Sequence, residues 1–156
     1  FASAGDAHTI ADKRCQDLAS AAGLVRDYKA IISTEPDDDN VGLDASSNII
    51  LTGAVYTIAI DATQNLIASS ADFWRTSAQN LLGTVSVDEN GLPTTVSVWT
   101  GTGSDGAATT STCGNWSNSN DQVSGTIGSS GNFDTRWIEF DFDICSESFH
   151  IYCISQ

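Results

Sequence analysis

Methionine is absent from this chain, and histidine and basic residues are scarce. Two His and six Lys plus Arg stand against 20 Asp plus Glu, a net charge of −14. Each scarcity excludes something. With only His8 and His150, and no C-x2-C pair among the four cysteines, the spacing of a zinc site is missing. No apolar run reaches the length of a membrane-spanning helix. No charged, apolar, small-residue leader is visible, and a start at Phe1 without methionine leads to the expectation of a processed product or a fragment. The G-x-S-x-G and H-E-x-x-H signatures of hydrolases are missing. The glycine-rich stretch from Gly101 to Gly106 lacks the lysine and following helix of a phosphate loop. His150, in an apolar stretch beside Cys153, reads as a packed or edge histidine rather than a base. No enzymatic activity is expected.

The few bases are unevenly placed. Up to Lys29, Asp6, Asp12, Asp17 and Asp27 cancel Lys13, Arg14, Arg26 and Lys29, so residues 30–156 carry the whole excess with only Arg75 and Arg136. Such a surface repels nucleic acid, heparin and anionic lipid, and tolerates cations and neutral or basic partners. Solubility in a salty medium is the plainer reading of the same charge.

At 156 residues and 40% hydrophobic content the chain is long enough for one cored domain, residues 1–156. Its four cysteines are even in number and widely spaced, which fits two disulfides and an oxidising, extracellular or cell-surface setting. Four buried thiols in a cytosolic protein are the alternative.

In chain order, Thr9 reads as an N-cap, with Asp12 in a capping-box position, opening a helix from about Ile10 to Ala22. Ala11, Cys15, Leu18, Ala19 and Ala22 share one face of it, and Gly23 suits its C-terminal stop. Tyr28 to Ser33 reads as a strand. Glu35, Asp37, Asp38 and Asp39 crowd four acids into one loop; a divalent cation, calcium above all, would relieve their repulsion. The EF-hand spacing is lacking, and a solvated acidic turn is the other reading.

Asn48 to Ile60 reads as strand broken near Gly53, and Asp61 to Asn65 as a turn. Ser69 or Ser70 would cap a second helix reaching Leu82, with Ala71, Trp74, Ala78, Leu81 and Leu82 on one face. Thr84 to Asp88 is a short strand leading to an Asn90-Gly91 hairpin turn. Val96 and Val98 face inward on the next strand, with Ser97 and Trp99 outward. The stretches 101–112 and 115–132 are Gly/Ser/Thr/Asn loops, long enough to be functional. From Trp137 to Asp143 apolar and acidic residues alternate, a strand with Glu139, Asp141 and Asp143 on its wet face. Phe149 to Ile154 is the closing strand.

Two stretches carry a family likeness. ADKRCQDLASAAGL followed by YKAIIST resembles the first helix and strand of endostatin-like domains, found at the C-termini of certain collagens and in a related bacterial family. VSVWTGTGSDG, CGNW and the closing C-x7-C resemble the second half of the same domains. The likeness covers most of the chain, is strongest at 11–33 and 96–153, and is closest to the bacterial branch. It implies an α+β, C-type-lectin-like fold: a mixed twisted sheet, two helices and long loops. It also implies nested disulfides, Cys15 with Cys153 and Cys113 with Cys145.

The chain departs from that family in its charge, which excludes the heparan-binding role, and in its N-terminal histidines, of which only His8 remains. Glu35-Pro36-Asp37 lies in the wrong half for a calcium-dependent sugar site, and no Trp-Asn-Asp triplet accompanies it. Trp116, Asn115 and Asp105, in the long loops, are the candidate ligand-binding residues; Trp116 would stack on a sugar or peptide. Trp74, Trp99 and Trp137 are candidates for the core. No cofactor is required, with calcium the one ion the acids would accept. Two functions follow. One is a secreted or cell-surface recognition or adhesion module for a protein or glycan. The other is a self-associating subunit or decoration of an extracellular assembly.

Overall fold

The structure is a computed structural model and describes residues 4–36, 42–74 and 81–156. It is α+β, with one long helix and three small sheets among the described residues.

Helix α1 spans Ala4–Ala21 and buries Ala7, Ala11, Cys15 and Ala19, small residues that let it lie close to its neighbours. It starts more than a turn before Thr9, which therefore lies inside the helix. Asp12 is no capping-box partner. Its Oδ1 accepts the amide of Ala30 at 2.8 Å, and Gln16, one turn on, accepts the amide of Tyr28 at 2.8 Å. Those amides belong to strand β1 (Tyr28–Ala30), whose other edge pairs with the C-terminal strand β8 (Cys153–Ser155). Two helix side chains thus satisfy an otherwise open sheet edge. The helix stops as its Gly23 implied: Leu24 donates to the Ala19 carbonyl and Gly23 to that of Ser20, the paired bonds of a Schellman motif.

A short helix, α2 (Ala45–Asn48), precedes a hairpin of β2 (Val55–Ile58) and β3 (Gln64–Ala68). The strand expected from Asn48 is thus helix at its start and begins only at Val55. The expected second helix is not found in the described part of its span: residues 70–74 form turns and bends, Leu81 and Leu82 are irregular, and 75–80 lie outside the described residues. Ser69 hydrogen-bonds Asp72 there without starting a helix. The stretch from Thr84 forms only an isolated bridge, Val87 to Pro93, around the Asn90-Gly91 turn. In that turn Gly91 takes φ +76°, and Asp88 Oδ1 accepts the amides of Asn90 and Leu92.

The main sheet runs β6-β5-β4-β7, with β4 (Ser97–Trp99), β5 (Ser124–Ser129), β6 (Asp141–Ile144) and β7 (His150–Ile151). It is mixed, because β4 and β7 run parallel while the other pairs are antiparallel. Both faces are covered near β4. Val98 enters a core with Ile31, Ile67, Phe73, Ile138 and Tyr152. Trp99, expected to face outward, packs against the second core of Ala11, Cys15, Ile32, Cys113, Trp116 and Cys145.

Strand β5 overturns the loop expected there. Its sequence, SGTIGS, has the composition of a linker, yet Gly125 to Gly128 are buried at the centre of the sheet. The glycines are needed for close approach. A Cβ on Gly128 would lie 2.2 Å from the Trp137 carbonyl oxygen, and one on Gly125 would lie 2.8 Å from Cys113 Sγ.

Both disulfides form as the nested pairs: Cys15–Cys153 ties α1 to the last strand, and Cys113–Cys145 ties the loop before β5 to the end of β6. Such bonds fit an oxidising compartment. Among the described residues no helix is long and apolar enough to cross a membrane.

Candidate functional site

Of the residues singled out in the sequence, Trp116, Asn115 and Glu35 come together, Asp105 stands apart from them, and Asp37, Asp38 and Asp39 lie outside the described residues. Trp116 is buried, and its indole Nε1 donates to the Ser33 carbonyl at 2.9 Å. Asn115 is buried beside it. Asp105 sits apart on an exposed turn, where its Oδ1 accepts the Ala107 amide at 3.0 Å. Trp116 is thus held inside the fold and does not offer a stacking face to a ligand.

Cys113 to Trp116 instead forms a strained clamp. Its four residues have φ of 53°, 58°, 54° and 61°, a single left-handed turn labelled here α3 (Cys113–Trp116). Left-handed backbone costs about 1–2 kcal/mol for most L-residues; Gly114 escapes that cost and Asn115 bears less of it than Cys113 and Trp116. The surroundings impose it. Thr112 caps the turn by accepting the Asn115 amide, the disulfide anchors Cys113, and Asn115 and Trp116 grip the backbone from Ser33 to Glu35. Thr112 also donates to Glu35 Oε1 at 3.1 Å.

Of the four acids considered for calcium, Glu35 is therefore engaged by the clamp, and Asp37, Asp38 and Asp39 lie outside the described residues. Among the described residues no group of three His, Cys, Asp or Glu is placed to hold a metal ion. His8 is buried between Thr34 and Asn48, within 3.5 Å and 3.4 Å of their side chains, and burial holds its imidazole below the ordinary value. His150 is exposed on β7.

The loop after β4 is equally structural. Thr100 donates to the Ile138 carbonyl, Thr109 bonds Thr126, and Asp44 accepts the Ala108 amide. Its hydroxyls add to backbone bonds such as Thr100 N–H to the Thr126 carbonyl and Thr126 N–H to the Ser111 carbonyl.

What faces solvent is β6. The alternation misleads: of the acids expected on its wet face, Glu139 lies before the strand, Asp141 is exposed and Asp143 is only half exposed, while the apolar residues are wet. Phe140, Phe142 and Ile144 are 47%, 57% and 40% exposed. Trp137 and Ile138, read as the start of the strand, lie in and after a 3₁₀ turn (Thr135–Trp137) and are buried. The strand is an edge, and it closes itself. Cys145 donates inward to Val123, so the amides of Phe142 and Ile144 point away from the sheet. Each donates to the carboxylate before it, to Asp141 Oδ1 at 2.9 Å and to Asp143 Oδ1 at 2.8 Å.

Both ends of this row are fixed. Cys145 holds its C-terminal end by the disulfide, and Glu139 Oε2 accepts the Ser104 amide at 3.0 Å at the other. Nearby, Arg136 engages Asp134 and lowers that carboxyl below its usual range. The exposed row was hidden in the sequence because alternation marks two faces of a strand, not which of them the fold covers.

A scan of the chain against models of known protein families finds no match. A search among curated proteins finds none either.

Proposed function

We propose that this chain is a secreted or cell-surface recognition module of C-type-lectin-like, endostatin-like architecture that binds a protein ligand. The nested disulfides and the pairing of the chain's two ends support the architecture. The observation that carries the function is the exposed group Phe142 and Ile144 on the disulfide-braced strand β6, with Phe140 in the bend that leads into it. Exposed aromatic side chains in a fixed row give binding area at little entropic cost.

The ligand's chemistry follows from the neighbours. The Asp141 and Asp143 carboxylates fold over the outer edge of the strand onto the amides of Phe142 and Ile144, beside the apolar row, so the complementary surface presents Lys or Arg beside apolar side chains. The outward amides are already satisfied by carboxylates, so the ligand lies across the face and does not add a strand. Phenyl and aliphatic groups without hydrogen-bonding tips suit a protein surface better than the hydroxyls of a glycan. Neither calcium nor another cofactor enters this reading, and polyanions are not among its ligands.

Selection of random displayed peptides on the immobilised domain tests it. Enriched sequences should pair cationic with apolar residues and lose affinity as salt rises. Enrichment of acidic or purely polar sequences would count against it.

A further inference from the structure

One buried histidine lies outside the proposed ligand surface. His8, in the second turn of α1, lies against Asn48 at the end of α2, and Asn48 in turn lies against Lys29 of β1. The three side chains join three elements, and their donors and acceptors leave one arrangement.

A lysine side chain only donates. Lys29 Nζ donates to Asn48 Oδ1 at 3.2 Å and to the Asn48 carbonyl at 3.0 Å. That fixes the carboxamide with Nδ2 turned to His8, 3.4 Å from Nδ1. Nδ2 also only donates, so Nδ1 must be bare, and the neutral ring keeps its proton on Nε2. Nε2 lies 3.5 Å from Thr34 Oγ1. A second proton would go to Nδ1 and face the hydrogens of Nδ2. Turning the carboxamide over would give Oδ1 to the imidazolium but set Nδ2 against the Lys29 ammonium. No orientation of Asn48 serves both cations.

We propose that His8, Asn48 and Lys29 form a latch that acid releases, freeing the first two turns of α1 while the rest of the domain stays folded. Release is local because α1 is held independently further on. Asp12 accepts the Ala30 amide, Gln16 accepts that of Tyr28, and Cys15 is joined to Cys153. Ahead of Asp12, among the described residues, Ala7 and Ala11 are the other buried side chains, and each offers a single methyl group. The charges around the ring oppose one another. Asp12 and the Leu43 carbonyl favour the imidazolium and Lys29 disfavours it, but burial outweighs them and holds the ring below its ordinary value. The latch is therefore closed at neutral pH. It weakens as pH falls below 6.5, where the freed histidine takes up a proton before the buried one does. The inference does not depend on the ligand surface on β6.

Hydrogen exchange followed by mass spectrometry, corrected for its intrinsic pH dependence, tests the latch on the parent chain. Protection of the amides of residues 8–11 should fall about tenfold for each pH unit below 6.5, until the folded value of His8 is passed. Strands β4 and β5 should keep theirs. His8→Gln should show no such fall. Asn48→Asp should also stay closed at about pH 5, because a carboxylate accepts from both cations. Nitrogen-15 shifts of His8 in the parent chain should report the Nε2–H tautomer at about pH 7.5. A proton on Nδ1 at that pH would overturn the inference. So would protection indifferent to acid, an equal loss in β4 and β5, or an Asn48→Asp variant that opens as the parent does.

Discussion

Asn115 holds the backbone of Glu35 with both ends of its amide. Its Oδ1 accepts the Glu35 N–H at 2.7 Å, and its Nδ2 donates to the Glu35 carbonyl at 3.1 Å. These residues are 80 positions apart in the chain. Asparagine is among the few L-residues that tolerate left-handed backbone, and its φ is 54°. One side chain therefore stabilises a strained turn and pins a distant segment to it.

Replacing Asn115 separates the two roles. Asn115→Ala loses both hydrogen bonds and puts a less tolerant residue in the left-handed turn, at a cost of about 2–4 kcal/mol. Asn115→Gly loses the same bonds but relaxes the backbone, so it should cost about 1 kcal/mol less. Urea denaturation of both variants gives the order. Equal losses would mean that the turn carries no backbone strain.

Gly128 makes a second sharp case. Any side chain there meets the Trp137 carbonyl, which is backbone and cannot swing aside. Gly128→Ala should cost about 3 kcal/mol or more, or prevent folding. An alanine variant with parental stability would show that β5 does not pass under Trp137 as described.

These residues also show where the sequence was readable. The face of α1 was legible because Ala11, Cys15 and Ala19 recur at helical spacing, and all three are buried. Its true start was not, because Thr9 and Asp12 matched a capping box while Asp12 was serving Ala30 across the fold. Strand β5 was hidden because glycine and serine make a good linker and also fit where backbones crowd. The left-handed turn leaves no signature beyond a glycine and an asparagine. For β6 the alternation misplaced Asp143, the least exposed residue of the strand, because it carries no information on whether Phe140 and Phe142 find a covering layer.

The two disulfides should contribute unequally. In the chain-entropy model, closing a separation of 138 residues stabilises by roughly 5 kcal/mol, and closing 32 by about 4. Paired serine substitutions at Cys15 and Cys153 should therefore lower the denaturation midpoint more than those at Cys113 and Cys145. The reverse order would mean that the inner bond holds more than loop entropy, the left-handed turn included.

His8 adds a pH dependence whose sign is fixed by its burial. Desolvation lowers its folded pKa below the ordinary 6.5, with Asp12 opposing as a smaller effect. As pH falls, the unfolded chain protonates this histidine first. Its stabilising contribution is whole above about pH 6.5 and is lost as pH drops through the lower folded value. His8→Gln should flatten the stability curve over that window relative to the parent chain. Parallel curves for the two proteins would place the imidazole in an environment like water.

The exposed row on β6 is the centre of the functional account, and the affinity of one peptide tests it most directly. A cationic, apolar peptide obtained by selection is titrated calorimetrically into the parent domain and into the double variant Phe140→Ser, Phe142→Ser. Both side chains are about half exposed, so the variant should melt as the parent does. Its affinity should fall at least about tenfold, as expected for losing two aromatic contacts. Unchanged affinity in a folded variant would place the binding surface elsewhere and contradict the account.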